Sequence, residues 1–116
     1  MTNAYETART AFVLVDPCKS QVFEHAAFTV RDGHERALLD ERPAVIGALR
    51  RAFPGLVSSW LTRREDGSWL DVILWESRKA AQYSAEHVTE IPEAVTWFTH
   101  IDESRGIEHL EVLTTD

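Results

Sequence analysis

Apolar and polar residues alternate through "QVFEHAAFTVR", 21–31, which predicts a strand with Val22, Ala26, Phe28 and Val30 on one face. The pattern then lengthens. In "HERALLDERPAVIGALRRAF", 34–53, Leu38, Val45, Ile46, Leu49 and Phe53 fall on one helical stripe, and Pro43 should kink or restart the helix because it lacks an amide donor. "LVSSWLTRRE", 56–65, and "SWLDVILWE", 68–76, read as two strands meeting at Asp66-Gly67. Residues 77–88 predict a helix with Ser77 as its N-cap. Pro92 opens a second helical piece, 92–102, with Val95, Phe98 and Ile101 as its expected buried stripe. "SRG", 104–106, reads as a turn, and "GIEHLEVL", 106–113, as the last strand.

The resulting order is β-α-β-β-α-β. This predicts an α+β, ferredoxin-like fold: a four-stranded antiparallel sheet with the helices on one face. Residues 21–116 then form one domain, preceded by an extension, 1–20. Within the extension "TAFVLV", 10–15, is apolar enough for an extra strand, expected to cover a sheet edge or reach a partner subunit.

The hairpin at Asp66-Gly67 decides what each sheet face carries. A two-residue type I′ turn would set Glu65 opposite Ser68, Thr62 opposite Asp71 and Trp60 opposite Ile73. Val57, Leu61, Leu70, Val72 and Leu74 would then face the helices. Trp60, Trp69, Ile73 and Trp75 would share the other face with Ser58, Thr62 and Asp71. That aromatic face is too large an apolar patch to leave in water, so a second copy packed in a C2 dimer is expected to cover it. A slip of one residue would exchange the faces.

Composition narrows the function classes. The formal charge is −7 and the pI about 5.2, with no basic face for phosphate contacts, so nucleic acid is not an expected partner. No apolar run is long enough to span a bilayer and the N-terminus has no secretory pattern, so a cytoplasmic protein with no membrane partner is expected. The single cysteine, Cys18, excludes an internal disulfide, and nothing beside it activates the thiol. The "HVTEIPE" stretch has metal-binding residue types, but Pro92 disrupts their spacing. No metal and no cofactor are expected.

The pattern "FTVRDGHE … PGLVSSWL … DGSWLDVILWESRKAA" resembles the dimeric α+β barrel superfamily, specifically proteins of the antibiotic biosynthesis monooxygenase type. The signposts are strand one running into the Gly33 turn, Pro54-Gly55 before strand two, and Trp75-Glu76-Ser77 entering helix two. The resemblance extends over 21 to about 113. It implies a homodimer, a pocket between sheet and helices in each subunit, and oxidation of aromatic or polyketide-type molecules by O2 without metal or flavin. A polyketide cyclase or isomerase, or a non-catalytic ligand-binding dimer, is the alternative on the same fold. The haem-degrading branch pairs a strand-one asparagine with a helix-two tryptophan and a later histidine. This chain has no strand-one asparagine, and Ser84 and Ala94 stand at the other two positions.

One base near the aromatic substrate would be needed, and His87, His25 and Asp71 compete for that role. His25 reads rather as a hydrogen-bonded dimer-interface histidine, and Asp71 could instead orient His25, or pair with Thr62 or with an arginine across the dimer. Tyr83 and His87 are four apart on one helix face and could edge the pocket, as could Trp97 and His100. Trp97 could instead be core, and Tyr83 with His87 a half-exposed helix surface. Trp60 and Trp75 are candidate ligand contacts. His34 and His109 read as a turn residue and a strand-four surface or interface residue.

Overall fold

The computed structural model describes residues 20–116. The extra strand expected over 10–15, and Cys18, lie outside the described residues.

Strand β1 (Val22–Val30) leads to helix α1 (Glu35–Ala52). Strands β2 (Leu56–Arg63) and β3 (Trp69–Trp75) form a hairpin, followed by α2 (Arg78–His87), a 3₁₀ turn (Val88–Glu90), α3 (Pro92–Phe98) and β4 (Ile101–Glu111). The sheet is four-stranded, in the order β2-β3-β1-β4, and every pairing is antiparallel. This is the ferredoxin-like arrangement expected from the order of elements. Among the described residues no helix is long and apolar enough to cross a membrane.

Local chemistry sets the boundaries. Ser77 caps α2 as expected, its hydroxyl accepting from the Ala80 amide at 3.1 Å. Pro92 sits in the first turn of α3, where its missing donor costs nothing. α1 runs unbroken through Pro43, without the expected restart. Its Ala48 is buried, and its other buried residues, Leu38, Val45 and Leu49, join one core cluster with Phe28, Trp69, Ile73 and Trp75 of the sheet and Ala94 and Trp97 of α3.

The hairpin departs from expectation. Trp60 lies opposite Val72, Leu61 opposite Asp71, and Thr62 opposite Leu70, one residue away from the two-residue-turn register. The loop has three residues, Glu65, Asp66 and Gly67. The Gly67 amide donates to the Arg64 carbonyl (3.0 Å) and the Arg64 amide to the Ser68 carbonyl (2.8 Å). Gly67 is left-handed at φ +87°, the signature of a type I turn closed by a glycine bulge. The Asp66 carboxylate fixes this shape by accepting from the Ser68 amide (2.9 Å) and hydroxyl (2.6 Å). Those bonds hold its pKa below the usual carboxylate range.

The consequence is an exchange of faces on β3. Trp69, Asp71, Ile73 and Trp75 are buried beneath the helices, while Leu70, Val72 and Leu74 lie on the opposite face. Trp60 and Trp75 therefore look in opposite directions, contrary to the shared face expected for them. Trp60 stays on the outer face beside Phe23, at 6.3 Å between ring centroids.

Two further expectations change. The buried face of α3 is Ala94 and Trp97, not Val95 and Phe98. Its phase is locked by the Trp97 indole, which donates to the Leu38 carbonyl at 2.8 Å. Ile101 belongs to β4, which starts earlier than expected because "SRG" is not a turn. Gly106, at φ +106°, instead serves the irregularity where Ala26 pairs with Ile107 but Phe28 with Ser104.

Replacing Gly67 with alanine forces a Cβ into the left-handed region and should destabilise the fold by about 1–2 kcal/mol. A urea titration checks this, with a lower midpoint expected at unchanged m-value.

Candidate functional site

The helices do not close completely on the sheet. A cavity of about 200 Å³ remains between them. Its floor is Glu24, Ala26 and Phe28 of β1 with Asp71, Ile73 and Trp75 of β3. Arg42, Val45 and Leu49 of α1, Ser84 of α2, and Ala94 and Trp97 of α3 form the walls. Phe98 and Ile107, 40% and 62% exposed, also border it and mark the way to solvent.

Most of the lining is apolar, so its few polar groups stand out. Asp71 and Arg42 form a two-pronged ion pair: Nη1 donates to Oδ2 at 2.7 Å and Nη2 to Oδ1 at 2.5 Å. The guanidinium also lies over the Trp97 ring, 5.0 Å from its centroid. Two parallel bonds and an aromatic face leave this cation little freedom.

Glu24 is the second carboxylate. Burial pushes its pKa above the usual range, and the charge of Asp71 adds to the rise. His109, whose Nε2 lies 3.3 Å from Oε1, pulls the other way without reversing it. The buried Trp75 indole N–H also favours the Glu24 carboxylate, though it forms no hydrogen bond of good geometry. A buried donor without a partner carries a cost of about 1–3 kcal/mol. A carboxyl of raised pKa and an aromatic wall can accept a proton from a bound hydroxyl and hold the ring that bears it.

The residues singled out from sequence are dispersed. Asp71, Trp75 and Trp97 border the cavity. His25 does not; it lies on the outer sheet face beside Phe23, their ring centroids 6.2 Å apart. Asp71 neither orients His25 nor meets Thr62, whose hydroxyl donates to the Leu70 carbonyl at 2.8 Å. Its arginine comes from α1 of the same chain. Tyr83 and His87 do meet, their ring centroids 4.3 Å apart and their planes tilted by 36°, but outside the cavity, with His87 held 2.7 Å from Glu90. His100 bonds Glu41 at 2.6 Å and His34 at 3.0 Å, also away from it. Trp60 is on the outer face.

Glu24, Arg42 and Ser84 were missed as cavity residues. The signal for Glu24 was its position: it falls on the same strand face as Val22, Ala26 and Phe28, where a carboxylate is unusual. Arg42 likewise stands four after Leu38 and three before Val45, on the buried stripe of α1.

No family model matches the chain, and no curated protein does. Solved structures do. A Bordetella bronchiseptica protein assigned by name to the antibiotic biosynthesis monooxygenases superposes with a TM-score of 0.69 at 15% identity, over 82% of this chain and 99% of its own. SnoaB from Streptomyces nogalater, a cofactor-independent oxygenase, gives 0.65 at 19% identity over 83% and 96%. A variant of MhuD with two manganese protoporphyrin IX molecules bound per active site gives 0.61 at 20% identity over 82% and 97%.

The chain has the fold of the antibiotic biosynthesis monooxygenase group.

Two outcomes test the electrostatics of the site. Arg42→Met leaves the buried Asp71 uncompensated and should cost about 3–5 kcal/mol, of which Asp71→Leu in the same chain restores most. Thermal or urea unfolding of the single and double variants checks it. Because the pKa of Glu24 is raised by folding, the native state holds its proton more tightly than the unfolded chain. The stabilisation from that proton is full below the ordinary carboxylate range and is lost as pH rises through the raised value. Glu24→Gln should flatten this part of the stability–pH curve, measured as urea midpoints in a pH series.

Proposed function

We propose that this protein is a cofactor-independent oxygenase acting on a hydroxylated aromatic molecule, with Glu24 as the base. The observation that carries the reading is the aromatic-walled cavity holding one carboxyl whose proton affinity burial has raised. Such a group is matched to taking a proton from a phenol or enol, since a general base works best with a pKa near the operating pH. The name of SnoaB gives a precedent for such chemistry on this fold.

Glu24 accepts the hydroxyl proton, and His109 beside it on β4 offers a way out to solvent. The electron-rich anion then reduces O2 directly. The ring loses its O–H proton and one C–H hydrogen, gains one oxygen atom as a carbonyl, and the other oxygen leaves as water. The chain's task is to hold the ring, favour its anion and exclude water. A cavity of about 200 Å³ leaves no room for a porphyrin, which separates this chain from the ligand named for MhuD.

The assembly is a homodimer in the cytoplasm. Its interface is the outer sheet face, where Phe23, Trp60, Leu70, Val72, Leu74 and Leu110 form an apolar surface with His25 among them. The composition of this face differs from the one expected from sequence, but the reason for covering it is the same.

Oxygen uptake by metal-free protein decides the reading. A panel from simple phenols to anthrone should contain at least one substrate that consumes O2, and Glu24→Gln should slow it by about 10²–10⁴-fold. Turnover of any panel member without O2 uptake or oxygen in the product would favour a cyclase or isomerase instead.

A further inference from the structure

Two imidazoles face each other at the corner where β1 turns into α1 and α3 turns into β4. The Nδ1 atoms of His34 and His100 lie 3.0 Å apart, and His100 Nε2 lies 2.6 Å from Glu41 Oε2. His34 stands at the N-cap of α1, yet its side chain caps nothing; it is turned to His100 instead. Glu41 sits about two turns further along the same helix. His100 belongs to the turn between α3 and β4, and its side chain is 12% exposed. The three side chains therefore tie that turn to the first half of α1.

A contact between two ring nitrogens has room for one proton. An ionised carboxylate only accepts, so His100 Nε2 donates to Glu41. The Nδ1 pair then shares a single hydrogen: His34 donates it while both rings are neutral, or His100 donates it as the one cation. With both rings charged, two N–H groups would point at each other across 3.0 Å, and the contact cannot persist. Closed, the pair carries at most one positive charge; parted, each ring can carry its own. The charged groups around it do not alter this count. Glu41 of α1 is engaged with His100. Arg31 of the β1–α1 turn donates from Nε to the Thr99 carbonyl at 3.0 Å and lies 3.8 Å from Asp102 of β4. Asp32 and Glu35 flank His34 in sequence, and Glu93 of α3 shares a groove with Glu41.

The corner so held is part of the cavity wall. Trp97, Phe98 and Ile101, all within three residues of His100, border the cavity, and Arg42 follows Glu41. We propose that His34, His100 and Glu41 form a proton-operated latch: one shared proton holds the α3–β4 turn against α1, and a second proton parts the rings and loosens the cavity wall. The corner is then left to the Arg31 amide's bond to the His100 carbonyl (2.9 Å) and the Trp97 indole's bond to the Leu38 carbonyl (2.8 Å), so it opens more often while the chain stays folded. The open form binds more protons than the closed one. The closed form is therefore favoured above the ordinary imidazole range, about pH 6.5, and loses ground as pH falls through it. The latch needs no substrate and stands whether or not the oxygenase reading does.

Histidine NMR and hydrogen exchange on the full chain, between about pH 8 and 5, test the latch. In the alkaline ¹⁵N-histidine spectrum one Nδ1 of the pair should be protonated and the other bare. Exchange of the Trp97 indole N–H and of the Thr99 and His100 amides, corrected for its intrinsic pH dependence, should quicken by up to about tenfold per pH unit below about 6.5, as one added proton per opening requires. His34→Gln should abolish that acceleration, because its amide can turn to donate to a neutral His100 or accept from a charged one. Glu24→Gln should leave it in place, which separates the latch from the cavity carboxyl. Where His34→Gln does not fold, the wild-type spectra and exchange still decide. Exchange that does not quicken with acid, the same acceleration in His34→Gln, its loss in Glu24→Gln, or two Nδ1 atoms protonated alike in the alkaline spectrum would each overturn the inference.

Discussion

Side chains on a strand alternate, so β3 offers the helices either Trp69, Asp71, Ile73 and Trp75 or Leu70, Val72 and Leu74, never a mixture. The three-residue turn at Glu65–Gly67 sets which set of β2 residues joins each of them. Once Asp66 has folded back on Ser68 and Gly67 has taken its left-handed conformation, Leu61 accompanies Asp71 and Trp60 accompanies Val72. The indole of Trp75, the carboxylate of Asp71 and the aromatic contact of Trp69 with Phe28 then all lie beneath the helices. The cavity inherits its walls and its polar groups from that arrangement.

Three charged side chains in so small an apolar space need an account. Each loses hydration on burial, and the loss is repaid only where partners are well placed. Arg42 and Asp71 solve the problem mutually, with two parallel bonds. Glu24 does not. Its neighbour Asp71 already has its counter-ion, and His109 reaches it from the more open edge strand. The structure therefore places a carboxyl of raised pKa at Glu24 beside the indole N–H of Trp75, which, like the Thr29 hydroxyl, is buried without a well-formed hydrogen bond. A cavity that served packing alone would gain by replacing both with apolar residues of similar shape.

Much of this was legible from residue order. The alternation in 21–31, the stripe in 34–53 and the Ser77 cap specify element types through short-range physics, and the elements occur where that physics puts them. Trp97 and Asp71 were recognisable as chemistry-bearing. What could not be read was phase. Asp66-Gly67 suits both a two-residue turn and a three-residue turn with a glycine bulge, and the two differ by one residue of register. Choosing the first sent Trp69 and Trp75 to the wrong face. The same limit applies to α3, where Val95-Phe98 and Ala94-Trp97 are both plausible buried pairs until the Trp97 hydrogen bond to a distant helix selects one. His25, His87 and His100 drew attention as residue types, yet their neighbours turned out to be Phe23, Tyr83 with Glu90, and Glu41 with His34. Glu24 was visible only to a reader asking why a carboxylate occupies a core position.

The corrected phase also changes what each sheet face has to do. With the tryptophans of β3 turned inward, they are buried beneath this chain's own helices and need no covering from a partner. The outer face keeps Trp60, 47% exposed, and Phe23, together with the aliphatic side of β3. An apolar outer face of this kind is a separate requirement, independent of the cavity, and the two can be disturbed separately. Mutations on β3 test this separation directly, because consecutive residues belong to different faces: Leu70, Val72 and Leu74 shape the outer face, while Asp71, Ile73 and Trp75 line the cavity. A strand whose odd-numbered residues line the cavity and whose even-numbered residues face outward makes the glycine bulge at its start the point on which both faces depend.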